Sequence, residues 1–116
     1  MKGLRGEIWV VRLDPGAEGH EIRKTRPCVV IQTDALNRHR AASIVAALTE
    51  HSDRKASYPF CVPLETGEGG VVKPSVVNAA QVRTVDETRL IRRLGALPSE
   101  RMREVDRALR IALDLD

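Results

Sequence analysis

The sequence predicts a mainly β domain in which a small, strongly twisted, barrel-like sheet is closed by one C-terminal helix. Short apolar stretches, several of them β-branched, alternate with polar loops, and a helical spacing of apolar residues is clear only near the C-terminus. No strand–helix–strand alternation is present. These observations argue against a parallel βαβ fold and favour a small barrel.

The first two strands are the most distinct elements in the sequence. Residues 7–13 predict a strand with Trp9, Val11 and Leu13 on one face, and an Asp-Pro-Gly turn follows it. A charged loop then leads into residues 28–31, a β-branched run typical of a buried strand. We therefore expect a charged loop that feeds a central strand.

Further extended segments follow two more polar loops, at residues 33–40 and 50–57. The predicted segments are residues 42–49, 58–64, 71–72 and 75–85, with a short helical turn around residues 86–92. Two prolines in the 58–64 segment favour an edge strand, because proline cannot donate a ladder hydrogen bond. The ETGEGG stretch between these segments predicts a turn.

An amphipathic helix is predicted from Ser99 onward. Its apolar residues fall three or four positions apart with charges between them: Met102, Val105, Leu109, Ala112 and Leu113. Ser99 is the predicted N-cap, and Glu100 in the first turn suits the helix dipole. We interpret the stripe as a packing surface and not as a partner site.

Composition restricts the class of protein. The 116 residues fit a single domain over residues 1–116. Apolar runs fall short of the ~20 residues of a membrane helix, and the N-terminus lacks a signal-peptide pattern, so we expect a cytoplasmic protein without membrane attachment.

Cys28 and Cys61 lie in apolar segments, which predicts buried, reduced thiols. The three histidines match no metal-site spacing, and we expect neither a metal nor a cofactor.

Charge and aromatic content limit how the protein can bind nucleic acid. Lys and Arg number 19 against 16 Asp and Glu, a net charge of +3 that is a mild bias towards polyanions. One Trp, one Tyr and one Phe cannot form a multi-aromatic stacking platform or a groove for proline-rich peptides. Contacts to nucleic acid would therefore depend mostly on charge and hydrogen bonds. Walker, GxSxG and HExxH motifs are absent from the sequence.

The loop GHEIRKTRP, residues 19–27, concentrates the charge of this region. One interpretation is a solvated hairpin loop without a specific function. The functional alternative depends on Arg26, which directly precedes a strand start fixed by Pro27. A stiff element would then aim its guanidinium, whose donors can hold a phosphate bidentately.

Five segments, followed by a short strand and the terminal helix, resemble the MazF/PemK family of toxin endoribonucleases over most of the chain. They are RGEIWVVRLDP (5–15), GHEIRKTRPCVVIQTD (19–34), IVAALT (44–49), SYPF (57–60) and SVVNAAQVRTVDETRL (75–90). The resemblance implies a small SH3-like barrel of the CcdB/PemK type, with about five to seven short strands. It also implies a homodimer, metal-independent and sequence-specific cleavage of single-stranded RNA, and inhibition by a MazE-like antitoxin.

The resemblance assigns catalysis to Arg26, Thr49 and Glu21. In the implied reaction, the ribose 2′-hydroxyl attacks its own phosphodiester and leaves a 2′,3′-cyclic phosphate and a 5′-hydroxyl. Arg26 would neutralise developing charge, and it is also a candidate to pass a proton to the leaving oxygen, although a guanidinium is a poor general acid. Thr49 would donate its hydroxyl to a non-bridging oxygen. Glu21 would orient Arg26 or accept the 2′-hydroxyl proton, and whether Glu21 or His20 is the base stays open.

The remaining predicted RNA contacts are His20, Arg23, Lys24, Arg54, Lys55 and Gln81. For the charged residues the alternative is an ordinary solvated side chain, and for Gln81 it is a pairing across the dimer. A non-catalytic protein on the same fold is the alternative function, either a CcdB-like gyrase poison or an inactive toxin retained for antitoxin binding. The combination of Arg26 and Thr49 favours catalysis, since a pure binding protein has no need of it.

Overall fold

A six-stranded antiparallel sheet forms the framework, seen in a computed structural model that describes residues 2–13 and 24–116. The strands are β1 (Glu7–Arg12), β2 (Thr25–Val30), β3 (Ala42–Glu50), β4 (Cys61–Leu64), β5 (Ser75–Asp86) and β6 (Leu90–Ala96). They are arranged in the order β4-β5-β3-β2-β1-β6, and every neighbouring pair is antiparallel. This architecture confirms the mainly β prediction, including the edge position of β4. The predicted turn at residues 14–16 lies outside the described residues.

Within the described residues, three α-helices accompany the sheet: α1 (Asp34–Asn37), α2 (Asp53–Ala56) and α3 (Ser99–Leu113). The two segments predicted as polar loops contain α1 and α2. The sequence did not predict these helices, because a single helical turn has no apolar periodicity. The Ser52 hydroxyl caps α2 by accepting a hydrogen bond from the Lys55 N–H, at 3.1 Å. Residues 71–72, predicted as extended, are not a strand, and the predicted turn after β5 is a 3₁₀ turn at Glu87–Arg89.

The sheet curls into a barrel because the 3₁₀ turn after β4, Glu68–Gly70, reaches β6 at the opposite edge. Gly70 has φ +84°, and a Cβ added there would lie 2.2 Å from the carbonyl oxygen of Leu94. Only glycine combines that backbone conformation with such a close approach. The ETGEGG stretch therefore forms a turn, as predicted, and also makes the contact with β6 that closes the barrel.

Two buried layers lie on opposite faces of the sheet. The barrel interior, which includes Ile8, Val29 and Leu48, packs against α3. The other face buries Val11 and Leu13 with Cys28, Val30, Val45, Ala47, Val85 and Leu90, and Trp9 packs against this layer. The prediction that Trp9, Val11 and Leu13 share a face is confirmed.

The two cysteines are free and buried, as predicted. Burial raises the pKa of the Cys28 thiol to about 12, although the nearby charge of Arg83 acts in the opposite direction. Burial also raises the pKa of the Cys61 thiol. Both thiols are therefore protonated and unreactive at neutral pH.

Two predictions for α3 are wrong. The residue that precedes the helix is Pro98, no side chain caps it, and Ser99 is the first helical residue and not the N-cap. The buried stripe consists of Met102, Val105 and Ala108, whereas Leu113 is 56% exposed. The apolar spacing continues in sequence beyond the part of α3 that packs on β4 and β5, so the last helical turn is exposed.

Candidate active site

The pairing of β2 with β3 brings Arg26 and Thr49 together. The ladder pairs Cys28 with Ala47, and the same register continued by two residues places Arg26 opposite Thr49. Both residues line one small pocket, with a volume of about 40 Å³. The sequence placed Arg26 before the start of the strand, but β2 begins at Thr25. Its position is therefore held by strand pairing, including its pairing with Val11 of β1, more than by Pro27.

The hydroxyl of Thr49 has no protein partner in the described part of the chain. Its oxygen is buried. Arg26 is exposed, and the Thr49 side chain is half-buried. A buried hydroxyl without a partner is costly, and most such groups in folded proteins are satisfied. Its position in a pocket beside a guanidinium is suited to binding an anion.

Glu50 and Lys73 form an ion pair on the wall of the same pocket. The hydrogen bond from Lys73, followed by the charge of Lys73, holds the pKa of the Glu50 carboxyl below its usual value, and the charges of Arg26 and Lys55 act in the same direction. Glu50 is therefore ionised at neutral pH. Arg26 and Lys73 outweigh this single carboxylate, so the charges that line the pocket favour an anionic ligand.

Sequence reasoning missed Glu50 and Lys73 as site residues. Glu50 pairs with Ser75 where β3 and β5 meet, and Lys73 lies two residues before Ser75. The only sequence signal was the position of Glu50 directly after Thr49. The pairing of β3 with β5 skips over β4 in the chain, so it does not follow from local pattern.

A second pocket, of about 180 Å³, adjoins the first and shares three residues with it: Pro27, Lys73 and Ser75. Its other lining residues are Val10, Val71, Val72, Arg92 and Leu94. Small-molecule sites usually measure roughly 300–1,000 Å³, so the 40 Å³ pocket suits a phosphoryl group and not a whole nucleotide. A larger cavity of about 640 Å³, lined by residues that include His51 and Arg101, is lined by neither Arg26 nor Thr49.

Two predicted RNA contacts lie on α2, directly after β3. The Arg54 Nε donates a hydrogen bond to the Tyr58 hydroxyl at 2.9 Å. The Tyr58 ring stacks on Phe60, with 5.1 Å between the ring centroids. Lys55 is close enough to Glu50 for its charge to lower that pKa. This stretch therefore places two cations and an aromatic pair next to the end of β3.

The other predicted contacts are not brought to the pocket by any contact in the described part of the chain. Lys24 is exposed with φ +67°, and its carbonyl accepts a hydrogen bond from the Leu13 N–H at 2.9 Å. Gln81 is half-buried in β5, next to a register irregularity opposite Ala47. His20, Glu21 and Arg23 lie outside the described residues.

Across residues 2–13 and 24–116, no three or more His, Cys, Asp or Glu side chains are grouped so as to hold a metal ion. No helix in the described residues has the length and apolar character needed to cross a membrane.

Comparison with known proteins gives concordant matches. Residues 4–113 match the model of a family described as the PemK-like, MazF-like toxin of type II toxin–antitoxin systems. The endoribonuclease MazF of Staphylococcus epidermidis is 38% identical over 112 residues, which cover 97% of this chain and 92% of that protein. A crystal structure of MazF from Deinococcus radiodurans matches with a TM-score of 0.81 and 26% identity over 99% of each chain. A mycobacterial endoribonuclease in complex with its cognate antitoxin matches with a TM-score of 0.78 and 25% identity, over 97% of this chain and 96% of that one.

Proposed function

This chain belongs to the family of PemK-like, MazF-like toxins of type II toxin–antitoxin systems, and on that premise we propose that Arg26 and Thr49 form its active site. The protein is the toxin of such a system and an endoribonuclease. The observation that supports the assignment is the shared pocket, in which a guanidinium adjoins a buried hydroxyl without a partner among the described residues.

The proposed reaction is a transesterification within the RNA. The ribose 2′-oxygen forms a bond to phosphorus, the bond from phosphorus to the 5′ oxygen breaks, and the products carry a 2′,3′-cyclic phosphate and a 5′-hydroxyl. The nucleophile belongs to the substrate, so the protein needs to align it and to stabilise charge on the phosphoryl oxygens. Arg26 supplies the charge, and Thr49 donates its hydroxyl to a non-bridging oxygen. This chemistry requires no metal.

The proton of the 2′-hydroxyl needs an acceptor. Glu21 and His20 are the two candidates, and Glu21 is also the candidate that orients Arg26. A carboxylate and a neutral imidazole can each accept this proton near neutral pH, so the two differ in the pH at which activity declines.

Residues around the pocket are proposed to hold the single-stranded RNA. Arg23, Lys24, Arg54 and Lys55 contact phosphates without reading sequence. His20 contacts the RNA if it is not the base, and Gln81 reads a base edge. The protein is proposed to act as a homodimer in the cytoplasm. A MazE-like antitoxin is proposed to inhibit it by occupying the basic groove with an acidic segment, which excludes RNA.

Cleavage of a long defined transcript in EDTA tests this proposal. Wild-type protein is expected to cut at specific sites and to leave 2′,3′-cyclic phosphate and 5′-hydroxyl ends. Arg26→Ala is expected to lower the cleavage rate by roughly 10² or more, the size found for loss of a main charge-stabilising donor. Arg103→Ala, at an exposed arginine on α3, is the matched control and is expected to cut like the wild type.

Either of two results would overturn the proposal. Intact RNA with folded wild-type protein would favour the non-catalytic alternative, a gyrase poison or an inactive toxin. Full activity of Arg26→Ala would leave the protein an endoribonuclease but would remove its active site from this pocket.

A further inference from the structure

We propose that Lys73 is the general acid of the reaction, the group that protonates the 5′ oxygen as its bond to phosphorus breaks. The inference rests on the proposed function, because it takes the pocket of Arg26 and Thr49 as the site of the scissile phosphate. It adds a catalytic residue that the sequence motifs did not indicate.

The position of Lys73 supports this role. Lys73 lines both the small pocket that holds Arg26 and Thr49 and the adjoining, more apolar pocket of about 180 Å³. The first suits a phosphoryl group, and the second suits part of a neighbouring nucleoside. A group at the border between the two meets the oxygen that bridges the phosphorus and that nucleoside.

The backbone around Lys73 is held in place. The Ser75 hydroxyl donates a hydrogen bond to the Lys73 carbonyl at 2.9 Å. The His51 N–H donates to the Pro74 carbonyl at 3.1 Å, and Glu50 pairs with Ser75 in the ladder. Lys73 therefore extends from a segment anchored to the end of β3, the strand that carries Thr49.

The chemistry of the pocket also favours Lys73. The departing 5′ oxygen takes the electron pair of the broken bond and needs a proton. A guanidinium is a poor proton donor because its charge is delocalised over three nitrogens, whereas an ammonium gives up its proton more readily. Glu50 is already ionised and has no proton to give. The ammonium of Lys73 transfers a proton to the 5′ oxygen and becomes a neutral amine, which regains a proton from water before the next turnover.

Glu50 is the positioning residue for this ammonium. Its carboxylate pairs with Lys73, and both side chains are more than half exposed. Exposed ion pairs are weak and exchange readily. An incoming phosphodiester can therefore share or replace the carboxylate without disturbing the fold.

A substrate with sulfur in place of the bridging 5′ oxygen tests the proposal, since a thiolate leaves without protonation. On ordinary RNA, Lys73→Ala is expected to lower the single-turnover rate by about 10² or more, the range found for general acids. Lys73→Arg keeps the charge but is expected to stay close to Lys73→Ala. On the sulfur-containing RNA, both variants are expected to cut within a few-fold of the wild type, and Glu50→Gln should likewise lose rate only on ordinary RNA.

The controls separate this proposal from the proposed function. Lys2→Ala, at an exposed lysine beside Trp9, is expected to match the wild type on both substrates, and thermal melting checks that every variant is folded. Arg26→Ala is expected to stay impaired on the sulfur-containing RNA; if it cuts ordinary RNA at full rate, the proposed active site itself is wrong. Three results would contradict the general-acid role while Arg26→Ala stays impaired. Lys73→Ala could cut ordinary RNA at the wild-type rate, or it could be equally slow on both substrates. The third such result is a Lys73→Arg variant that cuts ordinary RNA at the wild-type rate.

Discussion

Two ion-paired regions of the molecule differ in how completely their polar groups are satisfied. Arg101 on α3 donates two hydrogen bonds to Glu68, at 2.8 and 3.0 Å, and one to Glu104 at 2.9 Å. The side chains of Arg101 and Glu68 are only 27% and 23% exposed. At the pocket, Lys73 and Glu50 make a single contact and are 58% and 67% exposed, close to a Thr49 hydroxyl without a described partner.

This difference indicates that the Arg101 cluster contributes to stability and that the pocket contributes to catalysis. The Arg101 cluster ties α3 to the 3₁₀ turn that closes the barrel, and its donors and acceptors are used within the protein. The pocket is lined by two cations, Arg26 and Lys73, and by Thr49, whose hydroxyl has no partner among the described residues. Substitutions in the closure region should therefore reduce stability, and substitutions in the pocket should reduce cleavage.

The largest effect is expected for Gly70→Ala. The added Cβ would lie 2.2 Å from the Leu94 carbonyl oxygen, in a backbone conformation with φ +84°. We expect the free energy of unfolding to fall by about 3 kcal/mol or more. Gly67→Ala is the matched control, because Gly67 has φ +96° but nothing within 4 Å of the added Cβ. Gly67→Ala should lower the free energy of unfolding, measured by denaturant, by about 1–2 kcal/mol. Equal losses of stability in the two variants would show that Gly70 does not control closure of the barrel.

The next effect is expected for Arg101→Met, which leaves the half-buried Glu68 carboxylate with the Glu65 N–H as a donor but without its charged partner. We expect a loss of about 1–3 kcal/mol in the free energy of unfolding. The rate of RNA cleavage should be unchanged wherever the variant is folded. Arg103→Met, at an exposed arginine two residues further along α3, should change stability by less than about 0.5 kcal/mol. A loss of cleavage in a folded Arg101→Met protein would contradict the separation of the two regions.

Thr49→Val should have the opposite profile. The substitution is close to isosteric and removes a hydroxyl without a described partner, so stability should stay within about 0.5 kcal/mol or rise slightly. The cleavage rate should fall about tenfold or more, equivalent to about 1.4 kcal/mol of transition-state stabilisation. Thr84→Val, at an exposed threonine of β5, is the control and should leave the rate unchanged.

The smallest expected effect is a change in how the free energy of unfolding depends on pH. The hydrogen bond from Arg101, and then that from the Glu65 N–H, hold the pKa of the Glu68 carboxyl below its ordinary value of 4.5. Its contribution to stability is therefore complete above that value and is lost as the pH falls through the lower, folded-state pKa. Glu68→Gln should unfold with a shallower dependence on pH below about 4.5. The same acid slope in both proteins would contradict this contribution.

The parts of the fold that follow a local period were accessible from sequence. Alternation identified the face of Trp9, Val11 and Leu13, and the spacing of Met102 and Val105 identified α3. The end of the α3 stripe was misjudged, because Leu113 has the helical spacing but no sheet beneath it. Closure of the barrel by Gly70 was not accessible, since it depends on contact between distant segments.

The residues of the candidate site were also only partly accessible from sequence. Arg26 and Thr49 were identified by resemblance, and the β2–β3 register gives a physical reason for their shared pocket. Glu50 and Lys73 were missed because β3 pairs with β5 and not with its neighbour in sequence, β4. The roles of His20, Glu21 and Arg23 stay predictions.

A double-mutant cycle tests most directly whether Arg26 and Thr49 act on the same phosphate. The measurement is the single-turnover cleavage rate of wild-type protein, Arg26→Ala, Thr49→Val and the double variant, all checked for folding. If the two residues act as a unit, the double variant should cut only a few-fold more slowly than the slower single variant. Fully additive losses, with the double variant slower by the product of the two single effects, would contradict the account.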